Sequence, residues 1–243
     1  METRLQKYFT DCDIMSRRSA EKVIVDGLVK VNGTIAQIGQ TVLPGIDVVE
    51  YDGRVIKPKK TDPVCIMLNK PRGYITSMSD DRGRRCVPEL LWDVAERVYP
   101  IGRLDMYSEG LLLLTNDGDL ANMLTHPRHR IPNIYRVTTV GIPDETQLDL
   151  LSSPMEIDGY SIMPVEVSVY SQSDKNVILE MHLYEGRNRQ IRKMCDAVGI
   201  KIKRLMRVAI GELTLGKLAL GKYRYLTEDE IRYLKESSNM GEV

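Results

Sequence analysis

The clearest apolar pattern of the chain is the uninterrupted run from Leu111 to Leu114, which the turn signal Asn116-Asp117-Gly118 closes. A short continuous apolar run bounded by a turn signal predicts a strand that is buried on both faces. The loop before this strand carries one carboxylate, Asp105. A loop held by a buried strand is a usual place for a reactive group, whereas a surface pair of Arg103 with Asp105 is the alternative interpretation.

Residues 1–58 have the pattern of a separate small module. Two helical segments, of which Ser16 can cap the second, precede several short strands. Asn32-Gly33 and Asp52-Gly53 each follow strand-forming residues and therefore predict hairpin turns. The basic, proline-broken segment 59–63 predicts a linker, so a larger domain is expected over residues 64–243.

The larger domain is predicted to mix strands with helices. Strand-like patterns cover residues 64–68, 134–140, 163–170 and 177–184, and short helical segments are expected within 88–99, 119–124 and 144–151. A strand, a glycine turn and the start of a basic helix are predicted over 185–194. Thr227, with Glu230 three residues later, predicts the cap of a last helix.

Composition favours an ordinary globular protein that remains in the cytoplasm. The 243 residues are 42% apolar and 28% charged, and no apolar stretch approaches the roughly 20 residues of a membrane helix. The N-terminus has no apolar signal core, so we expect neither export nor membrane attachment. The scattered thiols indicate neither a zinc site nor disulfides, and the histidines are too few and dispersed for a metal centre or a Ser-His-Asp triad; these residues are Cys12, Cys65, Cys86, Cys195, His126, His129 and His182.

The charge is unevenly distributed, although the formal net charge is zero. Residues 181–225 contain 11 Lys and Arg against 3 Asp and Glu, whereas residues 141–180 contain 1 Lys against 8 acidic residues. Polyanions respond to local charge, so the cationic segment is compatible with an RNA partner. Two solvated faces that compensate each other are the alternative.

Three neighbouring motifs identify a family. Gly-Arg-Leu-Asp at 102–105, Ser-Glu-Gly-Leu-Leu-Leu-Leu-Thr-Asn-Asp-Gly at 108–118 and Thr-His-Pro at 125–127 resemble the catalytic motif of bacterial ribosomal pseudouridine synthases. Asn-Lys-Pro-x-Gly at 69–73 and Glu-Gly-Arg-Asn-Arg-Gln-Ile-Arg at 185–192 continue the resemblance. It covers about residues 2–234, and within it the segment from Ser16 to Gly33 resembles the S4 RNA-binding domain.

The resemblance assigns three residues to catalysis. Asp105 corresponds to the catalytic aspartate, Tyr135 to a tyrosine that stacks on the target base, and Arg192 to the arginine that pairs with the aspartate. A buried carboxylate tends to be neutralised, so a bidentate contact from the guanidinium of Arg192 would keep Asp105 ionised. The family commonly has Lys two residues before the tyrosine, whereas this chain has Asn133.

Further basic residues are expected to contact RNA. The resemblance to S4 domains implies that the helix carrying Arg17 and Arg18 faces the RNA backbone, as does the strand carrying Lys30. The resemblance also implies that Lys70 meets RNA or fixes its own turn. The remaining candidates for RNA contact are Arg103, Arg187 and Arg189.

The resemblance implies an α+β protein in which a small S4 module precedes a catalytic domain. That domain would have a mainly antiparallel mixed sheet flanked by helices, with the cleft across its middle. The expected reaction converts a uridine of ribosomal RNA to pseudouridine without cofactor or metal, and we expect a monomer that acts on rRNA or a pre-ribosomal particle. A non-catalytic S4-type RNA-binding protein is the main alternative. A metal-dependent phosphodiesterase, suggested only by Asp117 and Asp119, is a distant third because these residues with Gly118 have the pattern of a turn.

Overall fold

The computed structural model describes residues 1–58, 62–126 and 131–239. It divides into two compact units, Met1–Asp62 and Pro63–Val243. This division falls inside the predicted linker 59–63, of which residues 59–61 lie outside the described residues. Pro127 of the Thr-His-Pro motif and His129 also lie outside them.

The first unit packs two helices against short strands. Its elements are β1 (Thr3–Arg4), α1 (Leu5–Asp11), α2 (Arg17–Val25), β2 (Val29–Val31), β3 (Thr34–Ile35), β4 (Thr41–Val42), β5 (Val49–Tyr51) and β6 (Arg54–Ile56). The Ser16 hydroxyl accepts a hydrogen bond from the Ser19 amide at 3.1 Å, which confirms the predicted cap of α2. Asn32-Gly33 and Asp52-Gly53 have positive φ angles, as such hairpin turns require, and confirm the two predicted turns.

The second unit contains the longer strands and the remaining helices. Its elements are β7 (Cys65–Lys70), a 3₁₀ helix (Val87–Leu90), β8 (Tyr99–Ile101), β9 (Glu109–Thr115), α3 (Gly118–Thr125), β10 (Asn133–Thr139), α4 (Glu145–Ser152), β11 (Glu156–Ile157), β12 (Tyr160–Ser161), β13 (Glu166–Gln172), β14 (Val177–Leu183), α5 (Gln190–Ala197), β15 (Ile202–Ile210), β16 (Leu213–Thr214), β17 (Tyr223–Tyr225) and α6 (Glu228–Asn239).

Within the described residues, nine of these strands form one sheet. Its main order is β13-β14-β10-β15-β9-β7-β17, with β16 paired to β15 and β8 paired to β9. The pairings are antiparallel except that of β15 with β9, which is parallel. The predicted α+β class with a mainly antiparallel mixed sheet is therefore confirmed.

The centre of the sheet is covered on both faces. Alternate residues of β9 point into two different apolar clusters, with Leu111 and Leu113 in one and Leu112 and Leu114 in the other. Each of the four leucines is at most 1% exposed. Burial of a leucine side chain contributes roughly 1.5–3 kcal/mol. The run from Leu111 to Leu114 is therefore a strand buried on both faces, as predicted. This strand anchors the loop that carries Asp105.

The termini of the helices follow their local sequence signals. Asp117 accepts from the amides of Asp119 and Leu120 and caps α3, which gives this carboxylate a structural role. Thr227 and Glu230 form the predicted reciprocal cap of α6. None of the helices in the described part of the chain is long and apolar enough to cross a membrane.

The apolar spacing within residues 88–99 gave a partly wrong prediction. The helical part is a four-residue 3₁₀ helix that ends at Leu90, so the following apolar residues do not share a helix face with it. Leu91 and Val98 nevertheless enter the same apolar cluster. An irregular chain that crosses this cluster buries the same side chains as a helix would.

Candidate active site

Asp105 lies on the loop between β8 and β9, and a buried lysine holds that loop. The ammonium group of Lys70 donates to the carbonyls of Pro71 at 3.1 Å, Asp105 at 3.1 Å and Ser108 at 3.0 Å. These three bonds match the donor capacity of an ammonium group. The amide of Ser108 also donates to the carbonyl of Asp105 at 3.0 Å, which closes the turn.

Of the two roles expected for Lys70, fixing its own turn agrees with its bond to the Pro71 carbonyl, and the other two bonds hold the Asp105–Ser108 turn, whereas the expected contact with RNA was wrong. Its side chain is 0% exposed at the end of β7 and cannot reach a phosphate in solution. Burial lowers the pKa of Lys70 to about 8, although Asp105 and Glu109 oppose this shift. The lysine remains mostly protonated at neutral pH, so its charge and its three bonds persist there.

The guanidinium of Arg192 contacts the other side of the loop. Helix α5 places this side chain so that Nη2 donates to the Tyr107 carbonyl at 2.8 Å and lies 3.3 Å from the Ser108 hydroxyl. Its Nε atom lies 3.8 Å from Oδ2 of Asp105. The expected bidentate contact was wrong, because one arm of the guanidinium binds the loop backbone instead.

The electrostatics of Arg192 follow from this position. Burial is the largest cause that lowers the pKa of Arg192, and nearby Arg189 lowers it further, while Asp105 raises it. Nε of Arg192 is buried and has no hydrogen-bond partner among the described residues. This unpaired donor faces the carboxylate, so a small movement of either side chain would form a direct charge-assisted bond.

Tyr135 and two leucines form the apolar side of the cleft. Tyr135 lies on the central strand β10, half-buried, and packs against two apolar clusters. Leu183 of β14 and Leu205 of β15 line the same cleft, which also contains Asp105 and Arg192. The cleft, together with the open solvent at its mouth, spans about 480 Å³ and crosses the middle strands of the sheet.

Asn133 has a defined partner in this chain. Its side-chain oxygen accepts from Nη1 of Arg207 at 2.9 Å, and Nε of Arg207 donates to the Leu111 carbonyl at 2.7 Å. Arg207 is only 5% exposed. The position at which the sequence departs from the family pattern therefore links β10, β15 and β9 beside Tyr135.

Gly110 is a structural residue of the motif that sequence reasoning missed. It has a φ of +105° where β9 runs parallel to β15, and a Cβ atom there would lie 2.1 Å from the Arg207 carbonyl oxygen. Only glycine permits such an approach of two backbones. A glycine within a strand, directly before its continuous apolar run, is the signal that could have indicated it.

A glutamate organises the turn before α5. Oε1 of Glu185 accepts from the Met163 amide at 3.0 Å and from the Gln190 side chain at 3.2 Å. Its Oε2 accepts from Nε of Arg187 at 3.1 Å. Glu185 and Gln190 line the cleft, and neither was a predicted site residue. Together they orient the start of the helix that carries Arg192.

The basic candidates fall into two groups. Arg103, Arg187 and Arg189 are exposed and line the cleft around Asp105. The guanidinium of Arg187 also lies 4.8 Å from the ring centre of Tyr160. Arg17, Arg18 and Lys30 are exposed on α2 and β2 of the first unit.

A family model described as RNA pseudouridylate synthase matches residues 64–197. This range covers more than half of the chain and includes Asp105, Tyr135 and Arg192. The chain belongs to the RNA pseudouridine synthase family. It is therefore an isomerase that acts on RNA, as the motifs predicted.

Full-length relatives support the assignment of the pseudouridine synthase family. The chain is 41% identical over 236 residues to an RNA pseudouridine synthase of Aquifex aeolicus (strain VF5), covering 96% of this chain and 94% of that protein. It is 37% identical over 240 residues to ribosomal large subunit pseudouridine synthase B of Bacillus subtilis (strain 168), covering 98% of each. A crystal structure of a pseudouridylate synthase superposes with a TM-score of 0.68 at 28% identity, covering 95% of this chain and 99% of that one.

The cleft chemistry suits the reaction of a pseudouridine synthase. A carboxylate, a guanidinium and an aromatic ring lie together beside apolar walls. Among the described residues, no group of three or more His, Cys, Asp or Glu side chains could hold a metal ion. The residues present can bind an anionic RNA strand, receive an unstacked base and supply one carboxylate near a sugar.

Proposed function

We propose that this pseudouridine synthase isomerises a specific uridine of ribosomal RNA, with Asp105 as the catalytic carboxylate and without a cofactor. The observation that carries the proposal is the position of Asp105 at the cleft, 3.8 Å from Nε of Arg192 and beside Tyr135. The 37% identical protein of Bacillus subtilis is named for the large ribosomal subunit, which supports rRNA as the substrate class.

The reaction needs no redox step. The N1–C1′ bond of uridine breaks, the uracil ring rotates, and a C5–C1′ bond forms, after which C5 loses its proton and N1 carries one. Attack of Asp105 on C1′ and formation of a glycal are two routes by which a carboxylate can release the base. Both routes require an ionised carboxylate close to the sugar.

Arg192 and Tyr135 divide the remaining tasks. The guanidinium of Arg192 places a positive charge 3.8 Å from the carboxylate of Asp105 and, through its bond to the Tyr107 carbonyl, holds the loop in place. Extrusion of a base from its stack costs a few kcal/mol, and an aromatic face such as that of Tyr135 returns about 1–3 kcal/mol. Leu183 and Leu205 exclude water from one side of the base.

The basic residues bind the RNA backbone. Arg103, Arg187 and Arg189 neutralise phosphates near the target nucleotide, since they are exposed around the cleft. Residues 1–58 act as an S4-type module, with Arg17, Arg18 and Lys30 as exposed contacts. Such contacts add affinity that falls as the salt concentration rises.

Release of tritium tests the proposed reaction, because formation of the C5–C1′ bond expels the hydrogen of C5. Unmodified transcripts of the small- and large-subunit rRNAs of the source organism, labelled with [5-³H]uridine, are incubated with the protein. We expect release from one uridine in one of the two transcripts, also in the presence of EDTA. RNA binding without release would instead favour a non-catalytic RNA-binding protein, and loss of release in EDTA would favour metal-dependent chemistry.

A further inference from the structure

We propose that Thr76 is a positioning residue whose hydroxyl holds the backbone that presents Asp105, an inference that rests on the proposed function. Oγ1 of Thr76 donates to the Leu104 carbonyl at 2.7 Å and accepts from the Leu104 amide at 3.1 Å. One hydroxyl thus satisfies both backbone groups of the residue that directly precedes Asp105. Thr76 belongs to neither the cleft lining nor the buried core.

Leu104 is buried, so its backbone groups depend on partners within the protein. Its side chain is 4% exposed and belongs to the apolar cluster on one face of the sheet. Buried backbone groups are almost always hydrogen-bonded, because an unpaired one loses its interaction with water. Without the Thr76 hydroxyl, the segment around Leu104 would have to move in order to find partners.

Backbone hydrogen bonds to neighbouring segments hold the chain on either side of Thr76 in place. The amide of Ile75 donates to the Arg85 carbonyl at 2.9 Å, and the Val87 amide donates to the Ile75 carbonyl at 3.2 Å. The amide of Gly73 donates to the Met106 carbonyl at 2.8 Å. Residues 73–76 therefore form a separately anchored segment beside the loop that carries Asp105. This segment contacts residues on both sides of Asp105.

This arrangement predicts an effect on the chemical step. Lys70 holds the Asp105 carbonyl and Thr76 holds the Leu104 peptide groups, so the backbone is fixed on both sides of the Leu104–Asp105 bond. A displacement of about 1 Å at a reacting group can cost about 10²-fold in rate. Thr76→Val keeps the shape but removes both bonds, so we expect kcat to fall by about 10- to 100-fold with little change in KM.

Thr115 supplies a matched control. Its hydroxyl also donates to one carbonyl, that of Val64 at 2.6 Å, and accepts from one amide, that of Asp117 at 3.0 Å. It lies at the opposite end of β9 from Glu109, about 20 Å away along a strand. Thr115→Val removes the same number of bonds but should leave kcat near that of the wild type.

The test compares Thr76→Val, Thr76→Ser and Thr115→Val. Steady-state tritium release from the labelled rRNA transcript gives kcat and KM, and thermal unfolding gives the loss of stability. We expect a loss of kcat in Thr76→Val alone, restored by Thr76→Ser, which keeps the hydroxyl. A kcat of Thr76→Val within about 2-fold of wild type, or an equal loss in Thr115→Val, would overturn the proposal.

Hydrogen–deuterium exchange provides a readout that does not depend on activity. In Thr76→Val the peptide that covers residues 102–108 should exchange faster than in wild type, and in Thr115→Val it should not. If the wild-type protein releases no tritium, the proposed function fails, yet faster exchange confined to residues 102–108 still supports the loop contact. Unchanged exchange in Thr76→Val overturns that contact.

Discussion

The buried charge of Lys70 should make the free energy of unfolding of this protein vary with pH in the alkaline range. Replacement of Lys70 by methionine should remove that variation. Burial lowers the pKa of Lys70 from 10.5 to about 8 in the folded protein. In the unfolded chain this lysine regains its ordinary pKa. Between pH 8 and 10.5 the unfolded chain therefore binds more protons, and the free energy of unfolding rises with pH over that window.

The size of this effect follows from the two pKa values. The pKa of Lys70 is about 8 in the folded protein and 10.5 in the unfolded chain. As the pH rises from 7 to 9.5, this difference raises the free energy of unfolding by about 2 kcal/mol. Lys70→Met loses this contribution. At pH 7 the free energy of unfolding of Lys70→Met should be close to that of the wild type. Removal of the buried charge stabilises the variant by about 3 kcal/mol, and the loss of three hydrogen bonds destabilises it by about 1 kcal/mol each.

Urea unfolding at pH 7.0, 8.5 and 9.5 measures the effect as the difference between wild type and Lys70→Met. Groups that titrate in both proteins cancel in this difference. Lys175→Met is the matched control, because Lys175 lies exposed in the same unit and its replacement removes a lysine charge that is not buried. A difference between wild type and Lys70→Met that is constant within about 0.5 kcal/mol would refute the buried, proton-linked role of Lys70.

Three further substitutions test separate parts of the site. Arg192→Lys keeps a positive charge but loses the planar fork that reaches the Tyr107 carbonyl, so single-turnover conversion should slow by about 10²-fold, and a change below about 3-fold would contradict this role. Arg187→Ala should weaken RNA binding and reduce the slope of log K against log salt by about 0.7–0.9, whereas an unchanged slope in filter binding would exclude a phosphate contact. Gly110→Ala places a Cβ atom 2.1 Å from the Arg207 carbonyl oxygen, so thermal unfolding should show a loss of at least about 2 kcal/mol, and an unaltered melting temperature would contradict the close approach.

Local sequence signals predicted those parts of the fold that have local causes. The run from Leu111 to Leu114 predicted a strand buried on both faces, and the two clusters that cover β9 explain it. Ser16 and the Asn32-Gly33 turn act through neighbours within a few residues, so their roles were also predictable. The pattern over residues 88–99 failed because long-range packing, which the local spacing does not record, buries Leu91 and Val98.

The site was predictable where a motif names a residue and not where distant contacts define its role. Asp105, Tyr135 and Arg192 came from the family resemblance, and the structure brings all three to one cleft. The contacts by which Lys70 and Thr76 support the loop of Asp105 were not predicted, because they span 35 and 28 residues of sequence. The pairing of β7 with β9 brings Lys70 to this loop, and the bond from the Gly73 amide to the Met106 carbonyl holds the segment of Thr76 beside it.

Single-turnover conversion of the rRNA transcript by Asp105→Asn tests the catalytic role of Asp105 most directly. Asn keeps the shape of the side chain but not its charge, so the rate should fall by at least about 10³-fold, about 4 kcal/mol at the transition state. RNA affinity should remain that of the wild type, and Asp119→Asn, an exposed carboxylate on α3, should remain active. Near-normal pseudouridine formation by Asp105→Asn would contradict the assignment of Asp105 as the catalytic carboxylate.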